Sequence, residues 1–175
     1  MIKNIKLAIF DFDDTLAIHK DKDYIEHRKE IGRSGENNYF KYAFEFPDIF
    51  YDKLEPCEVS VDMQNLISYL RLHNVKMYCL SEMRMSLHSS AKQSFINKHY
   101  GSDIKLLSAS TQEYKVDVVN ILQDSYQLNS NEILFVDDLE KVVNLMKEQG
   151  YVSLLESDVK NIKIDGKTLT EIMDD

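Results

Sequence analysis

Several features that mark other protein classes are scarce in this sequence. It contains two cysteines, Cys57 and Cys79, and their spacing does not match a metal site. We therefore expect reduced thiols in a cytoplasmic protein rather than a disulfide framework. No apolar run approaches the length of a membrane span, and the amino-terminal run is short and ends in acids. Neither a transmembrane helix nor a signal peptide is predicted.

Basic residues are also scarce. Lys plus Arg number 21 against 30 for Asp plus Glu, which gives a formal net charge of −9. An acidic protein of this kind has no broad electrostatic surface for nucleic acid or for an anionic membrane. The five histidines show no metal-ligand spacing, and no Gly-x-x-x-x-Gly-Lys nucleotide-binding loop occurs.

The 175 residues suffice for one domain with a substantial core, and apolar runs alternate along them with helical patterns. The predicted strands are 7–10, 75–80, 104–107, 132–136 and 151–155. The predicted helices are 61–73, 84–100, 115–128, 139–149 and a short one at 169–173. This alternation predicts a single α/β domain over 1–175, with a Rossmann-like, mainly parallel sheet flanked by helices.

A small insert follows the first strand, at about 19–58. It is polar at first, with a candidate helix at 23–33, and becomes rich in Tyr and Phe over 39–51. A segment of this size cannot bury a core of its own, so its rings must pack on the main domain, on a partner chain or on a substrate. We expect a small cap or flap. The sequence leaves open whether the insert is a true lid. It also leaves open whether the chain forms a homo-oligomer.

Polar side chains follow the predicted strands at the edge where parallel strands place active sites. Three acids come directly after the first strand, a serine follows the second, a lysine begins the third main helix, and two acids follow the fourth strand. Clustered carboxylates repel one another unless a proton or a cation such as Mg²⁺ lies between them. The residues concerned are Asp11, Asp13, Asp14, Ser81, Lys115, Asp137 and Asp138.

These groups together meet the needs of phosphoryl transfer. A carboxylate can attack phosphorus and form an aspartyl phosphate. A metal ion neutralises the phosphate oxygens, a hydroxyl and an ammonium hold them, and a second carboxyl moves the proton of the leaving group.

The order and spacing resemble the haloacid dehalogenase-like (HAD) superfamily of phosphohydrolases. The Asp11-Phe-Asp13-Asp14-Thr15-Leu16 stretch is similar to its first motif, Ser81 to its second, Lys115 to its third and Asp137-Asp138 to its fourth. The resemblance covers about 5–150 apart from the insert. It implies a Mg²⁺-dependent phosphatase that hydrolyses a phosphate monoester through an aspartyl-phosphate intermediate.

The resemblance also implies a role for each residue. Asp11 is the nucleophile and a metal ligand, and Asp13 is the general acid/base and gives its backbone carbonyl to the metal. Ser81 and Lys115 bind the phosphoryl group. Asp137 is the preferred side-chain metal ligand, with Asp138 adjacent or linked through water. Thr15 supports the loop, and Asp14 stands where the family often has glycine.

Two other functions remain as alternatives. A phosphoacceptor signalling domain uses similar groups, but its lysine follows the other residues, whereas Lys115 precedes Asp137. The second alternative is a catalytically idle HAD-like binding protein. A turnover assay that detects activity would exclude it. In the family that the chain resembles, an acid two residues after the nucleophile, as Asp13 is here, marks phosphatases and phosphomutases, whereas dehalogenases and ion-pumping ATPases lack it. The catalytic set does not identify the phosphorylated substrate.

Overall fold

The computed structural model describes residues 2–19, 54–56, 60–83 and 87–174. Five parallel strands form the main sheet: β1 (Leu7–Phe10), β4 (Lys76–Glu82), β5 (Lys105–Ala109), β6 (Ile133–Asp137) and β7 (Val152–Leu155). Their order across the sheet is β5-β4-β1-β6-β7. The helices are α1 (Ser60–Leu72), α2 (Leu87–His99), α3 (Tyr114–Tyr126), α4 (Glu140–Glu148) and α5 (Leu169–Met173). The predicted α/β sheet is confirmed, with element ends displaced by a few residues.

The central strand β1 is apolar throughout because both of its faces are covered. Ala8 and Phe10 lie in a core cluster with α1, α2 and α5. Leu7 and Ile9 lie in a second cluster with α3 and α4. Alternate residues of a strand point to opposite faces, so each end of the strand delivers side chains to both helical layers.

Two short strand pairs were not predicted. The ribbon of β2 (Ala17–His19) and β3 (Leu54–Pro56) is antiparallel and joins the two ends of the insert. The hairpin of β8 (Lys163–Ile164) and β9 (Lys167–Thr168) leads into α5. Strands of two or three residues carry no periodic signal, which explains why the sequence pattern missed both.

The predicted cap or flap at about 19–58 lies almost entirely outside the described residues, and it stays a prediction. The β2–β3 ribbon shows that segment 20–53 begins and ends side by side, since His19 pairs with Leu54. The candidate helix at 23–33 and the aromatic stretch at 39–51 are also outside the described part. Among the described helices, none has both the length and the apolar character needed to cross a bilayer.

Candidate active site

The polar residues singled out from the sequence come together at the carboxyl edge of the sheet. Asp11 follows β1 directly, and its backbone N–H donates to the Val136 carbonyl at 2.8 Å, which continues the pairing with β6. Asp137 ends β6, and Ser81 lies near the end of β4. The order β4-β1-β6 therefore sets these three junctions side by side.

Lys115 links the first and fourth motifs. It lies in the first turn of α3 and is fully buried. Its Nζ donates to Asp11 Oδ1 at 2.6 Å and to Asp137 Oδ2 at 2.8 Å. Asp11 and Asp137 continue the sheet face that α3 and α4 cover, which is why the lysine reaches both. An ammonium has three donor hydrogens, so one remains for a further acceptor.

The loop after Asp11 turns sharply. The backbone N–H groups of Leu16 and Ala17 both donate to the Phe12 carbonyl at 3.0 Å, and Asp14 has a left-handed φ of 57°. This conformation favours glycine, but aspartate tolerates it better than most residues. The backbone therefore explains why the HAD pattern often has glycine where this chain has Asp14.

Asp13 does not share the lysine of Asp11. Its carboxylate Oδ2 accepts from Lys92 Nζ at 2.5 Å and, more weakly, from Ser81 Oγ at 3.5 Å. Lys92 Nζ also donates to Ser81 Oγ at 2.7 Å. Two buried lysines thus serve the site, one from each helical layer.

Sequence reasoning missed Lys92, because a lysine in an amphipathic helix is ordinarily assigned to the solvent face. A signal was nevertheless present. Phe95 and Ile96 follow Lys92 by three and four residues on α2, and both are buried. That spacing puts Lys92 on the core stripe of the helix.

The electrostatics of the cluster are unbalanced. Burial raises the pKa of Asp11 to about 7 despite the lowering effect of Lys115, and Asp137 and Asp13 add to the rise. Burial, with the charges of Asp11 and Asp137, raises the pKa of Asp138 to about 8. Burial acts to lower the pKa of Lys115, but the carboxylates of Asp11 and Asp137 raise it above its usual value, so the lysine stays charged.

The same cluster could hold a metal ion. Asp11, Asp137 and Asp138 each offer one carboxylate oxygen, and these oxygens lie within 4.8 Å of one another. With Asp13 and the two lysines included, four carboxylates face two ammonium groups. When all four carboxylates are ionised, their excess of negative charge and their all-oxygen donor set fit a hard divalent cation.

A cleft of about 610 Å³ opens beside Asp138. Its walls come from the end of β4 and from the loops before α3 and α4. Four of the lining residues are acidic, and the one lysine among them, Lys141, pairs with Glu113 at 2.8 Å. The acidic residues are Glu82, Glu113, Asp138 and Glu140.

All six residues proposed for the site therefore lie at one edge of the sheet. Asp11, Lys115, Asp137 and Asp138 form one group, and Asp13 and Ser81 form a second with Lys92. Thr15 is fully buried, and its hydroxyl makes no hydrogen bond within the described residues. Its predicted role in supporting the loop is therefore not one of hydrogen bonding to them.

No protein-family model matches this chain, and no curated protein does either. Solved structures do resemble it. One is described as a haloacid dehalogenase-like hydrolase from Bacteroides fragilis, with a TM-score of 0.56, 13% identity and coverage of 85% of this chain and 86% of the other. A second is a HAD family enzyme from Bacteroides thetaiotaomicron, solved with magnesium and inorganic phosphate. Its TM-score is 0.52 and its sequence identity is 17%, with coverage of 86% of this chain and 93% of the other. A third is a substrate-bound phosphoserine phosphatase, with a TM-score of 0.56, a sequence identity of 14% and coverage of 97% of both chains.

Proposed function

We propose that this chain, which has the fold of the HAD-like hydrolases, is a Mg²⁺-dependent phosphatase that hydrolyses a phosphate monoester. The observation that carries the proposal is the contact of Lys115 with both Asp11 and Asp137, beside the third carboxylate of Asp138. This arrangement gathers a nucleophile, a cation site and a phosphate-binding ammonium around one point. HAD family neighbours solved with magnesium add support.

In the proposed mechanism an Asp11 oxygen forms a bond to phosphorus while the bond from phosphorus to the leaving oxygen breaks. Asp13 donates its proton to that oxygen, and the leaving group departs as an alcohol. Water then attacks the phosphorus of the aspartyl phosphate while Asp13 takes the water's proton. Inorganic phosphate leaves, and the Asp11 carboxylate is regenerated.

The other residues hold the phosphoryl group during both steps. The Lys115 ammonium uses two of its donor hydrogens on Asp11 and Asp137 and has a third for a phosphoryl oxygen. The Ser81 hydroxyl is a second donor. Asp11, Asp137 and Asp138 surround the place where Mg²⁺ would bind, and the bound ion would neutralise the charge of the phosphoryl oxygens.

The cleft beside Asp138 is the proposed site of the leaving group, with the insert at about 19–58 as a cap over it. Its acidic lining disfavours leaving groups with further negative charge. The ribbon of β2 and β3 brings the insert back to the loop that carries Asp13, which supports this placement. A cytoplasmic location remains a prediction from the composition.

The experiment is a turnover assay on a panel of phosphate monoesters. We expect activity with Mg²⁺, loss of activity in EDTA and recovery when Mg²⁺ is added back. Asp11→Asn is the matched variant, because it keeps the shape of the side chain and removes the nucleophile. Full turnover in chelator would refute the cation site, and a folded Asp11→Asn variant at the wild-type rate would refute covalent catalysis. No turnover on any ester would favour an idle binding protein.

A further inference from the structure

Lys92 is an unusual residue for its position. Its side chain is 3% exposed, and it lies on the core stripe of α2 with Phe95 and Ile96. Lysine is almost never buried unless its charge is compensated by partners. A buried lysine therefore needs a structural or functional reason, and its contacts show which.

Both hydrogen-bond acceptors of Lys92 belong to the candidate active site. The ammonium donates to Asp13 at 2.5 Å and to Ser81 at 2.7 Å. The Lys92 Nζ also lies 4.6 Å from the centroid of the Phe12 ring. The negative face of the ring attracts the positive charge of the ammonium. Phe12 and Asp13 are consecutive, so Lys92 contacts the catalytic loop twice.

We propose that Lys92 is a positioning residue that fixes the general acid/base Asp13 and the phosphoryl donor Ser81 relative to each other. The inference rests on the proposed function, because these two roles come from it. Lys92 itself acts through its two neighbours and does not contact the reacting atoms.

The need for such a residue follows from the loop. The Asp13 side chain is 34% exposed, and it lies within the sharp turn between Phe12 and Ala17 rather than on a strand of the main sheet. Without Lys92, its remaining contact among those described above is the long one to Ser81, at 3.5 Å. A general acid must lie within hydrogen-bond reach of the leaving oxygen, and small displacements slow the reaction strongly.

Lys92 also sets the direction of the Ser81 hydroxyl. An ammonium can only donate, so its bond to Ser81 Oγ uses a lone pair of that oxygen. The one hydroxyl hydrogen, which makes the long contact to Asp13 Oδ2 at 3.5 Å, can turn from it to donate to a phosphoryl oxygen.

The test compares Lys92→Met with the wild type on two substrates. Methionine keeps most of the length and volume and removes the charge. An alkyl phosphate needs a proton on its leaving oxygen, whereas p-nitrophenyl phosphate does not. The ratio kcat/KM is measured because it reports only the steps up to departure of the leaving group. Lys98→Met, on the exposed side of the same helix, is the control.

If Lys92 positions Asp13, kcat/KM for the alkyl phosphate falls on the order of tenfold to a hundredfold, which is at most the lower end of a full general-acid contribution because Asp13 itself is retained. The value for p-nitrophenyl phosphate falls much less, and Lys98→Met changes neither. In an Asp13→Asn background, Lys92→Met has a smaller effect, since the contribution through Asp13 is already gone and only that through Ser81 is left.

Other results would overturn the inference. Equal losses on both substrates, no loss on either, or an undiminished loss in the Asp13→Asn background would each show that Lys92 does not act through Asp13. If Lys92→Met does not fold, Lys92→Gln is measured instead, and failure of both to fold shows a purely structural role. A wild type without Mg²⁺-dependent turnover refutes the proposed function, and this inference with it.

Discussion

Asp137 and Asp138 are adjacent in sequence but lie in different surroundings. Both oxygens of Asp137 accept hydrogen bonds, one from Lys115 at 2.8 Å and one from the Leu139 backbone N–H at 2.9 Å. Asp138 is half-buried. Its burial is the largest cause of its raised pKa, and the charges of Asp11 and Asp137 raise that pKa further. The resemblance makes Asp137 the preferred direct metal ligand, but this geometry favours Asp138, and we propose that assignment.

Paired substitutions distinguish these two roles. We expect Asp138→Asn to weaken Mg²⁺ binding by about tenfold or more, equivalent to at least about 1.4 kcal/mol, because an ionised ligand is lost. Asp137→Asn should weaken binding less and lower the melting temperature more, because it removes a buried partner of Lys115. Titration calorimetry with MgCl₂ and thermal unfolding measure the two effects. The opposite order would make Asp137 the direct ligand.

At the level of elements, the β8–β9 hairpin determines where α5 begins. Its two turn residues, Asp165 and Gly166, both have positive φ, at 53° and 85°, as a type I′ turn requires. Thr168 then caps α5 through a hydrogen bond with the Glu171 backbone N–H at 3.3 Å. The buried Leu169 anchors the helix in the core, so the turn controls the packing of α5 on α1.

Substitution of Gly166 tests this turn. Gly166→Ala should lower the free energy of unfolding by about 1 kcal/mol, because a left-handed cost of about 1–2 kcal/mol is partly offset by about 0.4–1 kcal/mol from the less flexible unfolded chain. No atom lies within 4 Å of the added Cβ, so crowding does not contribute. Gly166→Asn, which tolerates this conformation better, should lose less. Urea denaturation measures both, and an unchanged Ala variant would contradict the turn assignment.

The insert at about 19–58 carries a separate prediction. If its rings meet substrate, Tyr39→Ala or Tyr42→Ala should raise KM or change substrate preference, with no drop in melting temperature. If the rings only pack on the domain, the same changes should lower the melting temperature and leave the kinetics of the folded protein unchanged. Steady-state kinetics and thermal unfolding on the same preparations separate these outcomes.

How far the sequence predicts the fold depends on how local the signal is. Runs such as Leu7–Phe10 predict buried strands because each residue is apolar and both faces of the sheet are covered. The pair β2–β3 depends on contacts between residues that are distant in the sequence, and the pair β8–β9 consists of very few residues. The Asp165-Gly166 dipeptide is nevertheless a turn signal from which the β8–β9 hairpin could have been predicted.

The candidate site follows the same rule. Asp11 and Asp137 are predictable because each directly follows an apolar strand, and Lys115 and Ser81 because of the family resemblance. Lys92 neither follows a strand nor matches a family motif, and its helical spacing with Phe95 and Ile96 indicates only that it is buried. Its role depends on how α2 packs against β4 and the first loop, which only the three-dimensional structure shows.

For the whole molecule, the acidic site makes stability depend on divalent cations. Four carboxylates around two lysines repel one another, and a cation bound only by the folded state relieves this. At about a hundred times its Kd, Mg²⁺ stabilises the fold by about 2.7 kcal/mol. For a chain of this size the melting temperature should then rise by roughly 5–10 °C.

The control for that measurement is NaCl at equal ionic strength, which should give a much smaller rise. Asp11→Asn should lose most of the Mg²⁺ effect, since it removes one of the three clustered carboxylates. An equal rise in the variant would show that the ion stabilises the protein elsewhere.

The position of β1 at the centre of the sheet has a consequence for synthesis on the ribosome. The strand is made before both of its neighbours, and one of them, β6, begins only at Ile133. Asp11 therefore leaves the exit tunnel long before Lys115 and Asp137 can join it. During translation the proposed nucleophile is therefore made before the rest of its site. A nascent chain that stalls before β6 has emerged carries Asp11 without Lys115 and Asp137 in place.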